Sequence, residues 1–336
     1  MNIGTLFQKA VEAHVSDLHF VEGAVPLGRL HGSLVELSGV PLSADRFTTL
    51  LHTLLSERQR EALNNGLDVD ASCYLGGERW RVHGYTKKTG KAFSLRRIPL
   101  HPPALDGLGL PAGVHAWTTL RHGLVLVTGP TGSGKTTTAA SMIDLINKRD
   151  AKHIVTIENP IEFVHSAKRS LVSQREVGVH VDSFSSALRS ALREDPDIIF
   201  VGEMRDLETI RLALQAAETG HLVISTLHTS SAAKTVSRII DAFPPEQHLQ
   251  IRTLLAETLE GIVAQELVSN RHGERSLVSE VMIATTPIRA LIREGKTHHI
   301  DHVMQTSVTT GMVTRELSVR RLREQGLLVG IDAAVQ

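Results

Sequence analysis

The sequence is poor in cysteine and in aromatic residues, and it contains no long apolar run. Its single cysteine, Cys73, excludes an intramolecular disulfide and any metal site made of cysteines alone, and it favours the cytosol as the compartment. Aromatic residues make up only 4% of the 336 residues, so few rings are present to stack on nucleic-acid bases. No apolar run approaches the roughly 18 residues that cross a bilayer. We therefore expect a cytoplasmic protein without a direct membrane span, which reaches a membrane only through a partner.

Net charge is also lacking, because 36 lysines and arginines balance 36 aspartates and glutamates. This balance argues against a nucleic-acid partner, since general binding to nucleic acid relies on an excess of basic side chains. A nucleic-acid translocase is therefore a weaker hypothesis. The chain is 41% hydrophobic and long enough for two globular domains of ordinary size.

The first 98 residues predict a small α/β domain. One helix is expected from the N-cap Ser43 through Leu63, with apolar residues at helical spacing. Short runs between glycine-containing turns indicate strands. The predicted strands are residues 17–20, 28–32, 67–75, 78–86 and 91–98.

Prolines and glycines concentrate in residues 99–114, which we expect to form no regular element and to act as a linker and hinge. From residue 115 onward, apolar runs alternate with helical patterns, which predicts a parallel sheet with helices on both faces. The expected strands are residues 124–127, 154–157, 198–201 and 222–226, and the expected helices are 135–148, 184–193, 206–218 and 231–241. After about residue 246 the chain is expected to be mainly helical, apart from a strand at 276–283. The predicted boundaries are 1–98, 99–114, 115–270 for the second α/β domain, and 271–336 for the helical C-terminal region.

The most specific motif is G-x-x-x-x-G-K-T at residues 129–136, directly after the apolar run 124–127. The glycines allow a tight turn whose N–H groups face phosphate oxygens, and the following helix adds the positive end of its dipole. Lys135 suits the β- and γ-phosphates, and the Thr136 hydroxyl suits Mg²⁺. The alternative, a glycine-rich turn with an accidental lysine, is disfavoured by the strand–loop–helix context. The predicted nucleotide-binding residues are Gly129, Pro130, Thr131, Gly132, Ser133, Gly134, Lys135, Thr136 and Thr137.

Carboxylates follow two further predicted strands. Glu203 comes after the run 198–201, where a P-loop ATPase uses a carboxylate to hold Mg²⁺ through water or to polarise the attacking water. Glu158 and Glu162 follow the strand 154–157, and one of them could be a general base. The alternative is that these acids are simply solvated, and for Glu158 and Glu162 spacing alone does not decide.

Two histidines and two arginines are weaker candidates. His221 and His228 flank the strand 222–226, where an imidazole could donate to a γ-phosphate, although lone histidines are more often structural. Arg81 and Arg96 lie on predicted strands of the first domain. They either pair on a solvated face or, in a ring of subunits, reach a neighbour's nucleotide.

Read as continuous strings, several segments resemble a known superfamily. Residues 192–232, LREDPDIIFVGEMRDLETIRLALQAAETGHLVISTLHTSSA, resemble very closely the signature of the secretion ATPases that power type II secretion and type IV pili. SDLH at 16–19, TIENPIEF at 156–163 and QREVG at 174–178 extend the resemblance over nearly the whole chain. Within the superfamily, the sequence is most similar to the pilus retraction (twitching-motility) ATPases.

Two features favour retraction over pilus assembly. TPIRALIRE at residues 286–294 resembles the AIRNLIRE segment of the retraction ATPases, with Ala290 in place of the usual Asn and Pro287 in place of the usual first Ala. The assembly and type II secretion ATPases carry a four-cysteine zinc subdomain, which one cysteine cannot make. A secretion or conjugation-type ATPase of the same superfamily is the alternative.

The resemblance implies a PAS-like first domain, a RecA-like core and a hexameric ring that hydrolyses ATP, with Mg²⁺, to drive pilus retraction. It makes Glu162 the general base and Glu158 a supporting carboxylate, with Asn159 in place of the usual acid. It matches Glu203 to the Walker B acid. A non-catalytic scaffold is the remaining alternative, against which the presence of Glu162 and Glu203 argues.

The resemblance also implies sites shared between subunits. His221 and His228 belong to the His box of the family, which leaves open which of them meets the γ-phosphate. Arg81 and Arg96 match arginines that cross the subunit interface. The implied partners are further copies of the chain in a homo-hexamer, an inner-membrane pilus platform protein and a paralogous pilus ATPase, at the cytoplasmic face of the inner membrane.

Overall fold

The chain divides into two compact units, residues 1–101 and 102–336. The computed structural model describes residues 3–30, 33–98, 101–271 and 275–328. Parts of the predicted segments lie outside the described residues: 1–2 of the first domain, 31–32 of a strand, 99–100 of the linker, and 272–274 and 329–336 of the C-terminal region. The boundaries predicted from sequence stay predictions.

Within residues 3–30 and 33–98, the first unit combines a six-stranded sheet with three helices. The helices are α1 (Ile3–Glu12), α2 (Ala44–Leu54) and α3 (Glu57–Asn64). The strands are β1 (Asp17–Val21), β2 (Leu27–Leu30), β3 (Ser33–Glu36), β4 (Val69–Leu75), β5 (Glu78–Lys87) and β6 (Gly90–Ile98). Their order is β3-β2-β1-β6-β5-β4, and every neighbouring pair is antiparallel. Phe7 contacts both Phe20 and Trp80 ring to ring in the core, so α1 covers this sheet.

The single helix predicted from Ser43 through Leu63 is wrong, because the structure has α2 and α3 there. The Ser56 hydroxyl accepts from the Gln59 N–H, and the Gln59 side chain accepts from the Ser56 N–H at 3.0 Å. This capping box satisfies N–H groups that a continuing helix would bond to its own carbonyls, and it therefore begins a new helix. The S-x-x-Q spacing was the signal in the sequence. The short, mostly exposed β3 was also not predicted.

The second unit is organised around a seven-stranded sheet, as counted over residues 102–271 and 275–328. Its strands are β7 (Gly123–Thr128), β8 (His153–Glu158), β9 (Leu171–Glu176), β10 (Ile198–Val201), β11 (Leu222–Leu227), β12 (Leu259–Ser269) and β13 (Arg275–Ile283). Its α-helices are α4 (Ala112–Trp117), α5 (Lys135–Arg149), α6 (Phe184–Ala191), α7 (Leu207–Glu218), α8 (Ala232–Asp241), α9 (His248–Thr258), α10 (Thr286–Glu294), α11 (Ile300–Thr306) and α12 (Arg315–Glu324). Short 3₁₀ helices span Leu105–Leu108, Pro245–Gln247, Thr297–His299 and Val308–Thr310.

The sheet order is β13-β12-β7-β11-β10-β8-β9, and all neighbours are parallel except β12 and β13. Side chains of β7 alternate between two cores: Leu124 and Leu126 belong to the one that contains α7, and Val125 and Val127 to the one that contains α5. Helices therefore cover both faces, which confirms the predicted α/β class. Among the described residues, no helix has the length and apolar composition that a bilayer crossing requires.

Two strands of this sheet were not predicted. The edge strand β9 reads LVSQRE and has no continuous apolar run. β12 begins directly after α9, so its apolar residues continue the helical pattern of 248–258, and the expectation of helix beyond residue 246 is wrong there. Gly261 was the available signal in the sequence, because a glycine inside an apolar run often marks a strand that another group approaches closely. In the structure, a Cβ at this position would lie 1.9 Å from Cζ2 of Trp117.

The expectation that residues 99–114 form no regular element is also wrong. Residues Leu105–Leu108 form a 3₁₀ helix and α4 begins at Ala112. Gly109 stands after the first of these helices with a φ of 69°, and Pro111 stands at the N-cap of α4. Proline and glycine at helix ends are compatible with both helices, and the buried side chains of Leu105 and Val114 pack in the second unit.

Candidate active site

The loop between β7 and α5 forms a backbone cradle at the carboxyl edge of the parallel sheet. Gly129 has a φ of 145° and Gly134 a φ of 86°, and Gly134 is the N-cap of α5. A Cβ at Gly129 would lie 2.1 Å from the carbonyl oxygen of Gln265, so only glycine allows the loop to approach β12 this closely. The cradle therefore opens at the positive end of a 15-residue helix, where phosphate groups bind readily.

Lys135 lies inside this cradle. Its side chain is 7% exposed, and its Nζ donates to the carbonyl oxygens of Gly129 at 2.8 Å and Pro130 at 2.9 Å. Burial lowers the pKa of Lys135, and the negative charges of Glu162 and Glu203 oppose that shift. Both acids predicted from sequence thus act electrostatically on the predicted phosphate-binding lysine. The structure brings these three side chains to one edge of the sheet.

Glu203 follows β10 and lies beside the end of β11. Its Oε2 is 2.7 Å from Nε of Arg205 and 3.6 Å from Nε2 of His228. Parallel pairing of β10 and β11 explains this meeting, because the residues after both strands emerge at the same edge. Arg205 was not predicted as a site residue.

His221 lies at the other end of β11, and its role at the γ-phosphate stays a prediction. It precedes β11, and its Nδ1 is 3.0 Å from the carbonyl oxygen of Ala216. The six residues of β11 separate it from the carboxyl edge by roughly 20 Å at about 3.3 Å per residue. Of the two predicted histidines, His228 is the one near the acids.

Glu158 and Glu162 have different environments although they are four residues apart. Glu158 is 5% exposed and accepts from the Thr156 hydroxyl at 2.7 Å and from Nε2 of Gln174 at 3.1 Å. Burial raises the pKa of Glu158 to about 7, and these two hydrogen bonds limit the rise. Glu162 is only partly buried. The loop residue Asn159 is exposed.

Gln265 of β12 hydrogen-bonds the backbone of the cradle, and it was not predicted as a site residue. Its Nε2 donates to the carbonyl oxygen of Ser133 at 2.8 Å, and its side chain is buried. The Ser133 hydroxyl is buried and has no hydrogen-bond partner among the described residues. An orphaned hydroxyl in a glycine cradle next to a buried lysine fits a site that binds an anionic group.

Arg81 and Arg96 belong to the first unit, where they form a cross-strand pair. β5 and β6 place them directly opposite each other. Arg96 binds Asp17, with Nε 2.9 Å from Oδ1, and this bond and one from Ser16 hold the pKa of Asp17 below its usual range despite the burial that raises it. Arg81 is exposed and has no ion-pair or hydrogen-bond partner among the described residues.

Comparison with known proteins identifies the family. Residues 112–325 match the family model of the type II/IV secretion system proteins. The chain belongs to this family. This family member is 44% identical over 329 residues, 98% of its length and 96% of the relative's, to the type IV pilus retractation ATPase PilT of Pseudomonas aeruginosa. It is 45% identical over 305 residues, 90% of its length and 82% of the relative's, to a twitching motility protein of Neisseria gonorrhoeae.

A solved structure agrees with these relatives. The crystal structure of the pilus retraction motor PilT with bound ADP has a TM-score of 0.93 and 44% sequence identity, covering 99% of this family member and 96% of that chain. These findings confirm the resemblance drawn from residues 192–232 and the combination of an N-terminal α/β unit with an ATPase-type core.

Proposed function

We propose that this chain is the ATPase motor that retracts type IV pili. The observation that carries the proposal is a buried lysine, Lys135, inside a glycine cradle at the carboxyl edge of a parallel sheet, where the negative charges of Glu162 and Glu203 act on it. Its family and its similarity to a retraction ATPase support the mechanical role.

In this proposal the nine residues from Gly129 to Thr137 bind ATP. Backbone N–H groups of the cradle hold the phosphates, and Lys135 exchanges its contacts with the Gly129 and Pro130 carbonyls for phosphate oxygens. The Thr136 hydroxyl and the Glu203 carboxylate are oxygen donors suited to Mg²⁺, with Glu203 acting partly through water. When bound, Mg²⁺ neutralises charge on the β- and γ-phosphates.

Glu162 is the proposed general base. It accepts a proton from the water that attacks the γ-phosphorus, while the bond from that phosphorus to the bridging oxygen of ADP breaks, giving ADP and phosphate. Its partial exposure suits contact with water better than the burial of Glu158, which we assign a supporting role. His228, beside Glu203, is the proposed sensor of the γ-phosphate.

The proposed working form is a homo-hexamer at the cytoplasmic face of the inner membrane. Arg81 and Arg96 would reach the nucleotide of a neighbouring subunit, and the exposed, unpaired state of Arg81 among the described residues supports this role. The proposed partner is an inner-membrane platform protein of the pilus, and a paralogous pilus ATPase is a further one. Nucleic acid is not a proposed partner, because the net charge is zero.

Complementation tests this function. In the source bacterium with its gene deleted, the wild-type chain should restore pilus retraction and twitching, and Glu203→Ala should leave cells with many surface pili that do not retract. Restored protein secretion or DNA transfer without any effect on pili would contradict the proposal and favour a secretion or conjugation ATPase.

A further inference from the structure

The edge strand β9 directs alternate side chains toward the loop that carries Glu162. Gln174 uses its whole amide there: Nε2 donates to the carbonyl oxygen of Phe163 at 2.9 Å and to Oε1 of Glu158 at 3.1 Å, and Oε1 accepts from the His165 N–H at 2.8 Å. One side chain on a strand therefore binds three points of a neighbouring loop and strand end.

Glu176 makes a second connection two residues further along β9. Its Oε2 accepts from the Ile161 N–H at 3.0 Å, and its side chain is buried. The intervening Arg175 points the other way, where its Nη1 is 2.6 Å from Oε1 of Glu194. The strand period of two thus assigns Gln174 and Glu176 to the loop and Arg175 to the opposite side.

These contacts bracket Glu162 on both sides. Glu176 holds the backbone of Ile161, Gln174 holds that of Phe163, and the backbone of Glu162 itself hydrogen-bonds the Glu158 carboxylate. Three successive residues are therefore fixed through their main chain, next to a carboxylate whose negative charge acts on Lys135.

We propose that Gln174 and Glu176 are positioning residues that hold Glu162 where it can accept a proton from the attacking water. The proposal rests on the proposed function, in which Glu162 is the general base. A misplacement of about 1 Å in a catalytic group can cost roughly 100-fold in rate. A loop that is released from β9 should lower turnover without disturbing the glycine cradle, because the hydrogen bonds of Gln174 go to Glu158, Phe163 and His165.

The first test separates turnover from binding. Gln174→Leu keeps the side-chain size and removes all three hydrogen bonds, and it should lower kcat by roughly 10- to 100-fold while the KM for ATP and the Kd for a fluorescent ADP analogue change by less than about threefold. Ser173→Ala, on the same strand, is the matched control and should stay near wild type, since its hydroxyl contacts His153 rather than the loop. An equal loss of nucleotide affinity would overturn the positioning role.

A double mutant tests whether the effect passes through Glu162. Gln174→Leu in a Glu162→Gln background should cause no further loss, because the group being positioned is already removed. Losses that multiply would show that Gln174 acts elsewhere, and would overturn the proposal. Glu176→Gln, which keeps an oxygen acceptor for the Ile161 N–H, should retain much more activity than Glu176→Leu.

Hydrogen exchange keeps the proposal testable if the base assignment itself fails. The His165 amide, which donates to Gln174, should exchange at least about tenfold faster in Gln174→Leu than in Ser173→Ala, with protection of α5 unchanged. The Ile161 amide, which donates to Glu176, should show the same acceleration in Glu176→Leu. If Glu162→Gln is as active as wild type, the proposed base is wrong. If exchange at these amides is unchanged, Gln174 and Glu176 do not hold the loop, and the positioning proposal is wrong whatever the activity.

Discussion

Gln265 donates from its Nε2 to the carbonyl oxygen of Ser133 at 2.8 Å, and it thereby connects β12 to the loop that forms the candidate nucleotide site. Gln265→Leu leaves that buried carbonyl without its donor, which should cost about 1–3 kcal/mol of unfolding free energy and weaken ADP binding by roughly tenfold. Urea unfolding and fluorescent-nucleotide titration measure the two effects. Ser269→Ala, exposed at the end of the same strand, should change neither. Wild-type affinity in Gln265→Leu would show that the loop holds its shape without β12.

Arg81 offers a test of the proposed shared site. Arg81→Ala should lower ATP turnover by roughly 10³-fold, as removal of an arginine finger does, while leaving ADP affinity and stability nearly unchanged because the side chain is exposed. Lys87→Ala, exposed on the same strand, is the control. Turnover within about twofold of wild type would place Arg81 on an ordinary solvated face.

The buried carboxyl of Glu158 should make stability depend on pH. Its pKa is raised by burial from an ordinary 4.5 to about 7, so between these values the folded state binds more protons than the unfolded state. Stability from this group therefore falls as pH rises through 4.5–7, by up to about 3 kcal/mol. Glu158→Gln should remove this dependence.

The wild type must be compared with Glu158→Gln, because His165 changes the pH dependence of stability in the opposite direction. Burial lowers the pKa of His165 to about 4, so its contribution is lost as pH falls from 6.5 toward 4. Urea unfolding of the nucleotide-free wild type and of Glu158→Gln is therefore measured at several pH values from 4.5 to 8. The difference between their unfolding free energies gives the contribution of the Glu158 carboxyl alone. Parallel stability curves would contradict the account.

Gly261 and Trp117 test the packing of α4, the helix that begins inside the predicted linker of residues 99–114 and ends at Trp117. In Gly261→Ala the new Cβ would meet the indole ring at 1.9 Å, so the ring must move and the protein should lose about 1–3 kcal/mol. Gly107→Ala meets no atom within 4 Å and serves as the control. Equal unfolding midpoints for the two variants would mean that α4 is not fixed against β12.

Site residues that come directly after a buried strand were predictable from sequence. Lys135, Glu203 and Glu162 each come shortly after an apolar run, and parallel strands bring such positions to one edge. The same rule predicts that His221, which precedes its strand, lies at the other edge of the sheet.

The remaining support depends on pairing that spacing does not reveal. Gln265 reaches Ser133 across 132 positions of sequence, and its strand continues directly from a helix. Gln174 lies on an edge strand whose polar pattern does not predict burial. Both side chains act through hydrogen bonds to distant main-chain atoms, and these are fixed by strand order rather than by local pattern.

The most direct test of the account is phosphate release from ATP measured against protein concentration, with Glu203→Ala as the inactive control. The account predicts that turnover per subunit rises steeply as oligomers form and is abolished in the variant, because Arg81 and Arg96 complete a neighbour's site. A rate per subunit that does not depend on concentration, down to dilutions at which the protein is monomeric, would contradict it.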